Sequence, residues 1–163
     1  MTGSPGINEA TLPNALQRGL AAIRARLIPD APVVAIEGNF VYVAVGTLTK
    51  GASRPSDGAA LGDAELPARY TQDNARLFAR VARNFPSAES YGVLTVPFLT
   101  RGDGAKIPWQ HVSHGSAQPL AAALDVTGVG FWSWDWRGMP ARQGEDLVAI
   151  VEWARKCVRE GAQ

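Results

Sequence analysis

His111 and His114 stand three residues apart, and two imidazoles at that spacing can share a metal ion when they lie on one helical turn. Pro108 and Gly115 argue against a helix there, and no cysteine or H-E-x-x-H pattern supplies further ligands. The pair therefore reads as loop histidines, and no metal is expected. Imidazole titrates near neutrality, so either ring suits general-base work if a hydroxyl lies beside it. Ser113 and Ser116 are at hand, but no G-x-S-x-G elbow presents either one. Asp135 is the remaining weak candidate, and the three side chains His111, His114 and Asp135 make no recognisable catalytic set. The Gly128-Val-Gly130 run lacks the third glycine of a dinucleotide loop and precedes an extended stretch instead of a helix, so no such cofactor is expected. The chain has one cysteine, Cys157. It borders the apolar face of a C-terminal helix and reads as a buried structural thiol, although Arg155, Lys156 and Arg159 are the kind of cations that favour a thiolate.

The most concentrated feature is Gly128 to Gly138, which holds three of the five tryptophans. In an extended chain, period two puts Trp132, Trp134 and Trp136 on one face, and Phe131, Ser133, Asp135 and Arg137 on the other. Such a face is either a core strand under the last helix or a recognition surface. Tryptophan and arginine anchor many protein interfaces, so Trp132, Trp134, Trp136 and Arg137 are the candidate partner-binding residues. Asp103, in the Arg101-Gly102-Asp103-Gly104 turn, joins them, with the loop from Arg101 to His114 as the rest of that surface.

Several elements must position these residues. Leu12, Leu16, Leu20, Ile23 and Leu27 recur at helical steps between Pro13 and Pro29, giving an amphipathic N-terminal helix. Residues 33–36 and 40–48 are β-branched and aromatic runs joined by Glu37-Gly38-Asn39, which predicts a hairpin. Leu77, Phe78, Val81, Ala82 and Phe85 fall at helical spacing, with Arg76, Arg80 and Arg83 on the opposite side as a solvated edge. Residues 91–99 read as a strand, 105–118 as irregular, and Leu120 to Leu124 as one helical turn. Residues 145–159 form the clearest helix, with Leu147, Ile150, Val151, Ala154 and Val158 facing inward.

Residues 1–10 read as a flexible tail and 11–163 as a single domain, with a mobile loop at about 50–65 rich in Gly, Ala, Ser and Pro. A composition of 46% hydrophobic and 19% charged residues is that of a soluble globular chain. A net charge of +1 offers no global field for nucleic acid or an anionic membrane, so neither is an expected partner. Low cysteine usage, with no leader or long apolar run in the sequence, points to the cytoplasm.

From Leu66 onward the punctuation resembles the short bacterial branch of the ubiquitin-conjugating-enzyme-like (UBC-like/RWD) superfamily. Leu66-Pro67-Ala68-Arg69-Tyr70 stands for the Leu-Pro-x-x-Tyr that precedes a strand there, and Phe85-Pro86 for the aromatic and proline that close it. Pro97, Asp103-Gly104 and Pro108 follow in order, then Trp132-Ser133 with its continuation to Arg137, then Asp146-Leu147 at the start of the closing helix. The resemblance implies an α+β fold. Its parts would be an N-terminal helix, an antiparallel meander of about four strands with helices on one side, an irregular tryptophan-rich segment, and a C-terminal helix packed on the sheet. It requires residues 75–83 to be strand against their own periodicity.

The departures from that family bear on function. A conjugating enzyme carries its modifier as a thioester on a cysteine shortly before the closing helix, and no cysteine lies between Thr100 and Gly144. His111 and His114 answer only loosely to the family's histidine, and Trp134 and Asp135 replace its basic residue and histidine after Trp-Ser. The resemblance thus implies a catalytically silent adaptor. Its partner would be a ubiquitin-like protein, a ThiF-like activating enzyme or a JAB-type peptidase, and no cofactor is implied. The rival reading keeps 74–85 helical and makes an α/β domain with a small-molecule or glycan site at Asp135, Arg137 and His114, stacked on Trp134 and Trp136. A small interaction or immunity protein is the third.

Overall fold

The computed structural model of the chain describes residues 9–26, 33–51, 64–84, 91–135 and 148–160, with the strand backbone alone for Trp134 and Asp135. The expected tail (residues 1–8), most of the 50–65 loop, Leu27, Phe85, Trp136, Arg137 and residues 145–147 fall outside them.

The described residues begin at Glu9, within the stretch expected to be tail. A 3-10 turn, Glu9–Thr11, is tied to the first helix by Arg24, whose Nη2 lies 2.8 Å from Glu9 Oε2. Helix α1, Asn14–Arg26, follows Pro13 and buries Leu16, Leu20 and Ile23 in one stripe. Strands β1 (Val33–Glu37) and β2 (Phe40–Thr49) form the expected hairpin, with Gly38 at φ +56° in its turn.

The segment with conflicting signals is a strand. β4, Asn74–Ala82, pairs antiparallel with β2 from Phe40↔Ala82 to Thr49↔Asn74, and with β5, Tyr91–Val96, from Arg76↔Val96 to Ala79↔Val93. The helical spacing is overridden because strand pairing buries both faces at once. Ala75, Leu77, Ala79 and Val81 enter one core and Phe78 the other. The arginines between them are not a solvated edge throughout, since the Arg80 guanidinium lies 3.6 Å from the Phe40 ring centroid and its Nε donates to the Tyr42 hydroxyl at 3.1 Å. This pairing removes the strand–helix alternation on which the α/β reading stood.

Beyond β5 the sheet goes further than the four-strand meander. β7, Gly130–Asp135, pairs antiparallel with β5, with a register shift between Tyr91 and Val93, so the described part of the tryptophan-rich segment is strand inside the sheet and not an irregular connection. A two-residue β6, Gln110–His111, lies outside β7, and a two-residue β3, Ala64–Glu65, pairs parallel to β2. The order is β1-β2-β4-β5-β7-β6, an α+β architecture built on a six-strand antiparallel path. Among the described residues no helix is long and apolar enough to cross a membrane.

Helices cover both faces, where the resemblance implied one. α1 and the C-terminal helix α3, Val148–Glu160, pack on the face that carries Val41, Val43, Leu77, Val93 and Trp132. The short α2, Gln118–Leu124, packs on the other, over Tyr42, Phe78, Leu94 and Phe131. Trp132 is 0% exposed and its Nε1 donates to the buried Thr95 hydroxyl at 3.1 Å. It is a core side chain, which removes it from the candidate partner-binding set.

Leu66-Pro67-Ala68-Arg69-Tyr70 fastens α3 to the sheet. The Tyr70 hydroxyl donates to the Val158 carbonyl, and Arg69 Nη2 donates to the Arg159 carbonyl, so two side chains satisfy the helix's last acceptors. Tyr70 also meets Trp132 edge-on at 6.4 Å, and burial pushes its hydroxyl pKa up to about 12.

Gly130 is required by close approach. A Cβ there would collide with Gln110 Oε1 and press on Thr95 Oγ1. Gly130→Ala should lower the unfolding free energy by about 1–3 kcal/mol in urea titrations. Combined with Gln110→Ala it should cost less than the two single changes summed, since the clash partner is then gone. Strict additivity would show that the carboxamide does not stand over this glycine.

Candidate functional site

A cleft of about 530 Å³ opens at the β6 end of the sheet, between the chain following β5 and β6 itself. One wall is the segment from Phe98 to Arg101, and it is strapped from two sides. The Gln110 carboxamide accepts from Leu99 N at 2.8 Å and donates to Leu99 O at 2.7 Å, which imitates a strand pair. The Gln72 carboxamide accepts from Thr100 N at 3.0 Å, and Thr71 N donates to Thr100 O at 2.8 Å. Gly102 N donates to Arg69 O at 2.9 Å, which connects this wall to the anchor of α3.

The rim is the Arg101–Gly104 turn, with Gly104 at φ +75°. Asp103 accepts from Arg101 at both oxygens, 3.1 and 2.7 Å, and from Ala105 N at 3.0 Å. The Ala105 amide, then Arg101, holds its carboxyl below the ordinary value. Asp103 thus braces its own turn while its side chain stays exposed at the rim. Lys106, Ile107 and Pro108 continue the lining, and Gln110, His111 and Val112 form the opposite wall. Trp109 is 46% and Val112 48% exposed, among the few large apolar side chains left to solvent in the described residues. The sequence reading marked this loop but passed over both. Their signal was two large apolar residues inside an otherwise irregular run.

His111 lines the cleft from β6, and His114 caps the 3-10 turn Gly115–Ala117, so the two are not on one helical turn. Their ring centroids are 5.4 Å apart. Among the described residues no three His, Cys, Asp or Glu side chains converge as metal ligands. The hydroxyl beside His111 belongs to neither Ser113 nor Ser116. It is Ser133 on β7, whose Oγ lies 3.1 Å from His111 Nε2 and 3.3 Å from the Trp109 carbonyl. The strand register brought Ser133 here, across twenty-two residues of sequence.

His114 is held as an acceptor. Its Nδ1 accepts from Ser116 N at 3.1 Å while the ring stacks on Phe131 at 4.3 Å. The Ser116 carbonyl in turn accepts from the Tyr42 hydroxyl at 2.6 Å, which fixes the turn over the sheet. Of the other sequence candidates, Trp134 and Asp135 are placed on β7 by backbone alone, while Trp136 and Arg137 lie outside the described residues. No protein-family model, curated protein or solved structure matches the chain.

Burial first, then the nearby His111 and Arg80, holds the His114 pKa below its ordinary value. The unfolded chain therefore takes up this proton first as the solution is acidified. Stability from the group is full above the ordinary histidine pKa, about 6.5, and falls as pH drops below it until the folded-state value is reached. The melting temperature should fall on going from about pH 7.5 to about pH 5, and fall less in His114→Asn, because asparagine caps without titrating. Equal falls in both proteins would show that the cap is not coupled to this proton.

Proposed function

We propose that the chain is a catalytically silent ubiquitin-conjugating-enzyme-like adaptor, binding a protein partner in a bacterial ubiquitin-like modification pathway. The observation that carries the reading is the state of its one thiol. Cys157 is 0% exposed inside α3, packed with Ile150, Val151, Trp153 and Ala154 on the sheet, and burial raises its pKa well above the ordinary value. A thioester carrier must present a thiolate to an incoming acyl group, and this sulfur meets neither requirement. What the fold leaves accessible is suited to binding. Trp109 and Val112 flank a cleft whose walls are fixed by hydrogen bonds, so little side-chain or backbone freedom is lost on association. Trp134, Trp136 and Arg137, the aromatic and cationic residues of the tryptophan-rich segment, are the other residues proposed to contact the partner. The family resemblance supplies the pathway and supports candidate partners: a ubiquitin-like protein, a ThiF-like activating enzyme or a JAB-type peptidase.

The test mixes the full chain with each of these three from one bacterial operon, with ATP present. One of them should be retained by the immobilised chain, with retention weakened about tenfold or more by Trp109→Ala and lost in Trp134→Ala/Arg137→Ala. Thermal melts should show both variants folded. No thiol-labile adduct should form. A reductant-sensitive adduct that disappears in Cys157→Ser would overturn the silent-adaptor reading, and so would failure to retain any of the three.

A further inference from the structure

The cleft has a polarity of its own. β6 is the terminal strand of the sheet order, so its outer edge has no strand neighbour among the described residues. Ser133 N donates to Trp109 O at 2.9 Å, and in an antiparallel ladder the backbone groups alternate in direction. The backbone groups of Gln110 therefore point away from β7: its amide already donates to the Ile107 carbonyl at 3.2 Å, its carbonyl has no partner among the described residues, and neither does the Val112 amide two residues on. Across the cleft, the amide of Lys106 is also without a partner among the described residues.

Charge points the same way. The described lining holds Arg101, Lys106 and His111 and no carboxylate. Arg101 is neutralised by Asp103 from outside the lining, whereas the exposed Lys106 ammonium makes no ion pair among the described residues. Ile107 and Pro108 give the floor its apolar part. The cleft volume falls in the range of sites that hold a ligand instead of a few waters.

We propose that this cleft takes an extended, acidic segment of a protein partner, paired through its main chain with the Gln110 carbonyl and the Val112 amide at the outer edge of β6 and with a carboxylate on Lys106. Main-chain hydrogen bonds give such edge pairing its affinity, and side chains at alternate positions give it selectivity. Carboxylates on the incoming segment would face the one lining cation that is not already paired. The inference rests on reading this face as the partner surface, and it specifies what that partner must offer.

The probe is a fluorescent peptide of alternating glutamate and valine, compared by anisotropy with its lysine–valine counterpart and with the acidic peptide N-methylated at alternate residues. The acidic peptide should bind, more weakly as salt is raised, and the basic and N-methylated peptides should not. Lys106→Glu, an exposed change that leaves the fold intact by circular dichroism, should weaken binding about tenfold. Amide shifts in NMR spectra should centre on 104–112. Equal binding of the acidic and basic peptides, tolerance of N-methylation, no loss in Lys106→Glu, or shifts centred elsewhere would each overturn the proposal. Peptide binding needs no pathway protein. Capture of a pathway partner without acidic-peptide binding therefore sinks this inference alone, and the converse result sinks only the adaptor reading.

Discussion

Everything in this fold depends on how Trp132 is accommodated. A wholly buried indole needs a partner for its N–H, and Thr95 on the neighbouring strand provides it, itself buried for the purpose. The same ring meets Tyr70 edge-on, and the Tyr70 hydroxyl holds the last turn of α3. One contact network thus joins two central strands, the loop before β4 and the closing helix. Arg69 extends it to the Arg101 turn through its carbonyl, which takes the Gly102 amide.

Because Phe131 faces α2 while Trp132 faces α1 and α3, β7 is covered on both sides. The described cleft lies instead at the β6 end of the sheet. The chain between β5 and β7 carries Trp109 and Val112, two of the three large apolar side chains left to solvent among the described residues, and the cleft beside them. The carboxamides of Gln110 and Gln72 make that loop definite: Gln110 pairs with the Leu99 backbone as a strand would, and Gln72 accepts from the Thr100 amide while donating to the Thr100 hydroxyl.

The same sealing decides the chemistry. Cys157 sits on the covered face of α3, where desolvation favours the neutral thiol, and the cations near it in sequence do not alter that. Of the histidines, His111 lies against a serine hydroxyl and His114 caps a turn.

Residue pattern alone determined the elements whose signal is local. α1 follows from a stripe of leucines between prolines, the β1–β2 hairpin from β-branched runs around a glycine turn, and the buried thiol from its place on an apolar helix face. The period-two alternation of the tryptophan stretch was legible too, but not which of its faces would be covered, because Phe131 and Trp132 are both large and apolar and burial took both. β4 shows the limit most clearly. Arg76 and Arg80 are four apart and fit one side of a helix as readily as one face of a strand, while alanines fit either, so only pairing with β2 and β5 could choose. The cleft was beyond the sequence for a related reason. Ser133 beside His111, and Gln110 against Leu99, are contacts set by strand register, a long-range quantity that no local spacing encodes.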